Sequence, residues 1–203
     1  VKEIGEEAFS DCNNVKLIIS GAVNPPVCGL QALDDINKWD CQLNIPIGYK
    51  ERYTGAEQWK EFFFIEDNVV VPYYSLKFVV DSTVWRVDSL PCGEFVVMPG
   101  EPIKEGHTFC GWSEVPETMP ASDVTISGSF AINSYILEYI VDGNVYKTDT
   151  ITYGDSIAVI PPLVKDGYTF SGWSEVPETM PANDVTISGT FSINKYLVTF
   201  KID

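Results

Sequence analysis

The sequence predicts a multi-domain, mainly β protein, and three observations carry that reading. Much of the chain repeats itself at a fixed offset of 61 residues. Within each copy, apolar residues recur at every second position, the period of a strand with one buried face. No amphipathic stretch of helical length interrupts either copy, whereas Gly and Pro punctuate both. A distinct segment without this period precedes the repeats. The expected divisions are 1–68 for that segment, 74–134 and 135–195 for two modules, and 196–203 for the start of a third, cut short at Asp203.

In the first segment, Val15, Leu17 and Ile19 alternate as a short strand should, and Cys41, Leu43 and Ile45 repeat the triplet 26 positions later. Repeats of about 20–29 residues with one short strand each have leucine-rich-repeat spacing. Residues 31–39 read as a short helix. A solenoid must also hide its last open edge. Tyr49 to Tyr53 and Ala56 to Phe62 form short helical turns that place Tyr53, Trp59 and Phe62 over it. Val69 to Pro72 is the junction.

The repeat itself is unambiguous. Gly111 to Phe130 and Gly172 to Phe191 agree at eighteen of twenty positions, differing only at Ser122/Asn183 and Ser129/Thr190. The offset runs without a gap from Tyr74 through Tyr135 to Tyr196. In the opening strand one parity stays apolar: Tyr74, Leu76, Phe78 and Val80, then Tyr135, Leu137, Tyr139 and Val141, then Tyr196, Val198, Phe200 and Ile202. The other parity varies freely, with Lys77, Glu138 and Thr199 at one position, so that face is wet. Asp142-Gly143 is a hairpin turn because both residues tolerate positive φ, and Asp81-Ser82 is its weaker counterpart. Gly154, Pro161 and Pro162 mark an irregular crossover. Tyr168 to Ser171 reads as a third strand, Met180 to Asp184 as a turn, and Val185 to Phe191 as a fourth strand. Residues 155–164 and Trp173 take the place of a covering helix.

Two resemblances follow from these residues. Tyr153-Gly154-Asp155, Pro162, the run Gly167-Tyr168-Thr169-Phe170-Ser171-Gly172-Trp173, and Met180-Pro181 resemble the Listeria–Bacteroides repeat family, which includes the B-repeats of internalins. This implies small β-grasp-like modules on secreted or surface-attached bacterial proteins. Copy one departs in having Cys92 for Tyr153 and His107 for Tyr168. Ile4 to Ile19, Pro25-Pro26, Leu43 to Gly48, and Tyr53 through Trp59 to Phe62 resemble the BspA-like leucine-rich repeats of bacterial surface proteins. This implies the C-terminal end of a solenoid with its closing cap.

The net charge of −16 is spread as −6 over residues 1–73, −5 over each module and zero over the last eight. Such a surface repels phosphate backbones, and no basic stripe offsets it, so nucleic acid is not an expected partner. No apolar run approaches the length of a membrane span, so no membrane insertion is expected of this stretch. Val1 falls partway through a repeat, and the chain reads as a piece of something longer. The five cysteines match no zinc spacing. Buried free thiols are expected. A Cys28–Cys41 or Cys92–Cys110 bridge can be drawn, but spacing does not select it.

Candidate chemistry is sparse. Glu114 and Glu117, matched by Glu175 and Glu178, would suit acid–base work only if they flanked a cleft. They lie in Pro-bounded loops and read as exposed acids. His107, the single histidine, has no residue to orient it and stands where copy two has Tyr168, a packing position. Asp142 matches no Ca²⁺-loop spacing. No catalytic, cofactor or metal residue is assigned, and no enzyme activity or cofactor is expected. By resemblance, the expectation is a non-enzymatic cell-surface or secreted bacterial protein that attaches to host proteins, neighbouring cells or matrix, with the β-modules as stalk or secondary binding units. Two alternatives stand beside it. The modules could bind carbohydrate through Trp112 and Trp173, which requires both rings to stand exposed in a groove. They could equally be appendages of a larger surface enzyme.

Overall fold

Strands dominate because β-branched and aromatic residues alternate with polar ones along short runs closed by Gly, Asp and Pro. The computed structural model describes residues 1–200. In the N-terminal segment, β1 (Glu3–Ile4) pairs parallel with β3 (Val27–Cys28). Here β2 (Leu17–Ile19), β4 (Gln42–Pro46) and β5 (Phe64–Val69) form a parallel sheet in the order β2-β4-β5. Helix α1 (Lys50–Gly55) and one 3-10 turn (Trp59–Glu61) lie between β4 and β5. Tyr53, Trp59 and Phe62, expected to be covered, are buried in one core with Leu33, Leu43, Ile45 and Ile65.

Three features of this segment correct the sequence reading. Leu17 pairs with Gln42, and it is Ile18 that lies level with Leu43 and Ile65. The step from Leu17 to its partner Gln42 is therefore 25 residues rather than 26, and a slip of one residue turns every side chain to the other face. Ile18 points inward, whereas Leu17 and Ile19 are 49% and 63% exposed. Secondly, residues 31–39 form turns rather than a helix. Their backbone bonds run three residues back, as in Asp34 N to Gln31 O and Ile36 N to Leu33 O, and Gln31 has φ of 53°. Thirdly, Phe64–Val69, for which the sequence predicts no strand, is a full parallel strand. It continues the sheet with Ile65 inward.

In the first repeat copy, β6 (Tyr73–Val80) pairs antiparallel with β7 (Thr83–Pro91) and parallel with β9 (Val124–Ile132). Strand β8 (His107–Trp112) lies along the other side of β9. In the second copy, β10 (Ser134–Val141) pairs antiparallel with β11 (Asn144–Thr152) and parallel with β13 (Val185–Gly189). There β12 (Tyr168–Phe170) pairs antiparallel with β14 (Phe191–Ile193). The predicted inward parity is the observed one: Leu76 and Phe78, with Leu137 and Tyr139, are buried against Met119 and Ile126, and Met180 and Ile187, respectively. Both hairpins turn through two positive-φ residues, Asp81-Ser82 and Asp142-Gly143. In place of a helix, Ile157, Ile160 and Trp173 cover the second core. Tyr196–Phe200 carry no strand, and the remainder of the third-copy strand predicted over 196–203 lies outside the described residues.

The two copies repeat their internal bonds as faithfully as their residues. Asp123 Oδ1 accepts from Ser75 N at 2.8 Å, and Asp184 Oδ1 from Ile136 N at 2.8 Å. Ser113 and Ser174 each donate through the backbone at 2.7 Å, to Ser127 O and Ser188 O, and accept through Oγ at 3.0 Å from Ser127 N and Ser188 N. By compactness the chain divides into one unit of residues 1–100 and 112–128 and another of 101–111 and 129–203.

Candidate binding surface

The aromatic residues of each copy form a chain of rings from core to surface, and a β-bulge puts the outermost ring in place. Phe78 faces Arg86 and Val79 faces Val84, so Trp85 has no partner across the hairpin. Tyr139 faces Lys147 and Ile140 faces Val145, so Tyr146 is the matching extra residue. A bulge bends its strand and re-aims the side chain it carries. In copy one, the Trp112 ring lies 5.4 Å from Phe78 and 5.6 Å from Trp85. In copy two, Trp173 lies 5.1 Å from Tyr139, 5.0 Å from Phe170 and 6.1 Å from Tyr146. Both indoles are half-buried against their cores, and neither stands free in a groove. The exposed rings are Trp85 and Tyr146, at 43% and 52%. Nothing in the sequence marks these two as special until the bulge is known.

The remaining candidates separate. Glu114, Glu117, Glu175 and Glu178 are all exposed. What Glu117 and Glu178 contribute is a backbone carbonyl, accepting from Val96 N at 3.0 Å and Ile157 N at 3.1 Å to hold the crossover. His107 packs edge-on against Phe130 and Tyr153, with Nδ1 2.7 Å from Glu105 O. Tyr168 meets Phe191 in the same geometry, so the packing role holds. All five cysteines are free. Cys41 is buried, but Cys92 and Cys110 are exposed, against the expectation of buried thiols. The matching residues Tyr153 and Ser171 explain this, because no core position of the module calls for a thiol there. No group of His, Cys, Asp and Glu with metal-binding geometry occurs among the described residues. No helix among them is long and apolar enough to cross a membrane.

Within the first unit, Arg52 on α1 joins the N-terminal segment to copy one. Its Nη2 lies 2.8 Å from Glu94 Oε1, and its Nη1 donates to Asn24 Oδ1 at 2.8 Å. Asn24 Nδ2 in turn donates to Gly93 O at 2.6 Å. Burial would raise the Glu94 carboxyl, but hydrogen bonds from Arg52 and Tyr49 outweigh it and hold that carboxyl below the ordinary range. Burial and the Glu94 carboxylate push the Tyr49 phenol up to about 12. A depressed carboxyl contributes stability that is complete above its ordinary value of 4.5 and is lost as pH falls through its lower folded value. Acid unfolding of the first unit is therefore expected to begin below pH 4.5, and Glu94→Gln should flatten that limb. An unchanged acid limb in the variant, followed by circular dichroism against pH, would refute the coupling.

The fold and these surfaces define a class: a tandem-module β protein whose copies share one internal bond network and carry surface aromatics at matching positions. The model of the Listeria-Bacteroides repeat domain matches residues 74–129 and 135–194, more than half of the chain, and the chain belongs to that family. It is 31% identical over 141 residues to Internalin H of Listeria monocytogenes, covering 60% of this chain and 25% of that protein. It is 30% identical over 138 residues to a protein of Evansella cellulosilytica whose name places it among Gly-rich membrane proteins, covering 50% of this chain and 16% of that one. The chain thus spans a quarter or less of these relatives' length. Among solved structures, Mub-RV is similar at 11% identity with a TM-score of 0.19, covering 61% of this chain and 99% of that one.

Proposed function

We propose that the chain belongs to a non-enzymatic bacterial surface or secreted protein that attaches to other proteins, on host or neighbouring cells or in matrix. In this reading residues 1–68 are the end of a BspA-like leucine-rich solenoid and supply a binding face. Residues 74–134 and 135–195 are β-grasp-like spacer modules with secondary adhesive capacity. The parallel rung of Ile18, Leu43 and Ile65 supports the solenoid reading, and the strand order β7-β6-β9-β8 supports the β-grasp one. The observation that carries the proposal is the duplication. A bond network conserved between copies down to single serines preserves a shape, while the outward ring changes from Trp85 to Tyr146. Repetition of a weak surface contact raises avidity without any new chemistry. A carbohydrate role for Trp112 and Trp173 is not favoured, since both rings are taken up by neighbouring aromatics.

Microspheres coated with the chain should adhere to cell monolayers or matrix-coated glass under flow, and soluble chain should compete. Adhesion no greater than that of albumin-coated spheres would remove the proposal.

A further inference from the structure

The N-terminal segment carries an exposed aromatic cluster that its own core does not use. Trp39 and Phe63 stack at 4.7 Å with planes 26° apart, and Phe64 meets Phe63 edge-on at 5.0 Å. Their exposures are 72%, 62% and 50%. Three rings in mutual contact and left this open form a contiguous apolar patch, which marks an interaction site. The patch continues along the outer face of the parallel sheet. Leu17, Gln42 and Phe64 share one level and Ile19, Asn44 and Glu66 the next outward level, so Leu17 and Ile19 extend the apolar surface.

Charge decides what fits there. The lysines next in sequence to Leu17 and Trp39 are already engaged: Lys16 with Asp40, and Lys38 with Glu61 at 3.3 Å and with Leu33 O at 2.8 Å. Glu66, exposed at the end of the rung, has no basic partner among the described residues. Open ring faces beside an uncompensated carboxylate attract a cation on an aliphatic stem. The chain seats its own cations on rings in this way: Arg52 lies 4.8 Å from the Tyr49 centroid and Lys165 lies 4.0 Å from the Tyr168 centroid. A second copy of the chain is disfavoured, because it would bring −16 against −16.

We propose that Trp39, Phe63 and Phe64, flanked by Leu17, Ile19 and Glu66, form the docking face for a basic protein partner. Arg or Lys cations of the partner lie on the rings, and its aliphatic side chains lie on Leu17 and Ile19. This rests on the protein-binding reading above and names its site and the partner's chemistry.

The probes are three synthetic octapeptides, (Arg-Leu)4, (Glu-Leu)4 and (Arg-Gly)4, titrated into the full chain at about physiological salt, where exposed charges more than about 8 Å apart are screened. Binding of (Arg-Leu)4 is expected to exceed that of both others. It should weaken about tenfold in Trp39→Ala and in Phe64→Ser, by a smaller factor in Glu66→Gln, and not at all in Trp85→Ala. All four altered positions are exposed, so unchanged melting temperatures will show that the fold is intact. Equal binding by Trp39→Ala would show diffuse charge attraction and overturn the proposal. So would preference for (Glu-Leu)4, or concentration-dependent self-association abolished by Trp39→Ala. If microsphere adhesion fails while Trp39-dependent peptide binding persists, the adhesive role falls and the face stands. If adhesion persists unaltered in Trp39→Ala, the face falls alone.

Discussion

Replacing Tyr53 by Ala should destabilise the N-terminal core by about 3–5 kcal/mol, the usual cost of removing a buried aromatic ring. Tyr53 is fully buried on α1, edge-on to Trp59 at 5.5 Å. Its hydroxyl donates to Ala22 O at 2.6 Å and lies 2.5 Å from Ser20 Oγ. The ring fills the core, and the hydroxyl satisfies a carbonyl in the turn that leads toward Pro25-Pro26. Tyr53→Phe keeps the first contribution and loses the second, for a cost of about 1–3 kcal/mol. Burial pushes the Tyr53 phenol up, against a lowering by the Ser20 hydrogen bond, so it remains a protonated donor through neutral pH. A raised folded value places this contribution fully below the ordinary value of 10.0, and it is lost as pH rises through the folded value. Urea titrations of wild type and both variants, followed by near-ultraviolet circular dichroism, measure the two terms. Equal losses in Tyr53→Ala and Tyr53→Phe would mean that the ring is not what holds this core together.

How much of this was legible in the sequence depends on whether a second copy was there to compare. In the modules, Leu76 and Leu137 or Phe78 and Tyr139 stay apolar while their neighbours Lys77 and Glu138 change, which reads out the buried parity directly. The burial of Tyr53, Trp59 and Phe62 was also legible, because large aromatics in a short segment have few places to go. The N-terminal strands were not. The spacing between paired strands varies, with Leu17 aligned to Gln42 and Gln42 to Phe64, so a fixed period of 26 exchanged inside for outside. Trp85 and Tyr146 were missed for a related reason. Their prominence comes from a bulge, a local change of backbone count that leaves no mark in residue type. The Trp39–Phe63–Phe64 cluster needed the fold outright, since it joins residues far apart in the sequence.

Gly106→Ala should be the most damaging small substitution in the second unit, although Gly106 belongs to the first sequence copy. Its φ is +67°, and a Cβ built there would lie 2.2 Å from the Cδ1 and Cγ atoms of Tyr153. The left-handed backbone costs an L-residue about 1–2 kcal/mol, and displacing a packed ring adds about 1–3 kcal/mol. Gly106 O also accepts from Asn133 N at 2.8 Å, and Thr108 Oγ1 donates to Asn133 Oδ1 at 2.7 Å, so the shift would reach the start of β10. Gly167 provides the control. It has φ of +79° and the same bonds, from Asn194 N to its carbonyl at 2.8 Å and from Thr169 Oγ1 to Asn194 Oδ1 at 2.6 Å, but no atom lies within 4 Å of its built Cβ. Gly167→Ala should therefore cost only the backbone term. Hydrogen exchange over residues 134–152 reports the second unit, and protection there should fall much further in Gly106→Ala than in Gly167→Ala. Adding Tyr153→Ala should recover the steric part of the Gly106→Ala loss without recovering the backbone part, a coupling that a double-mutant cycle isolates. If the two glycine variants lose protection equally, Tyr153 does not pack over Gly106. If the steric term is found, residues 101–111 stabilise the unit that contains copy two, and the period at which the sequence repeats is offset from the unit that folds.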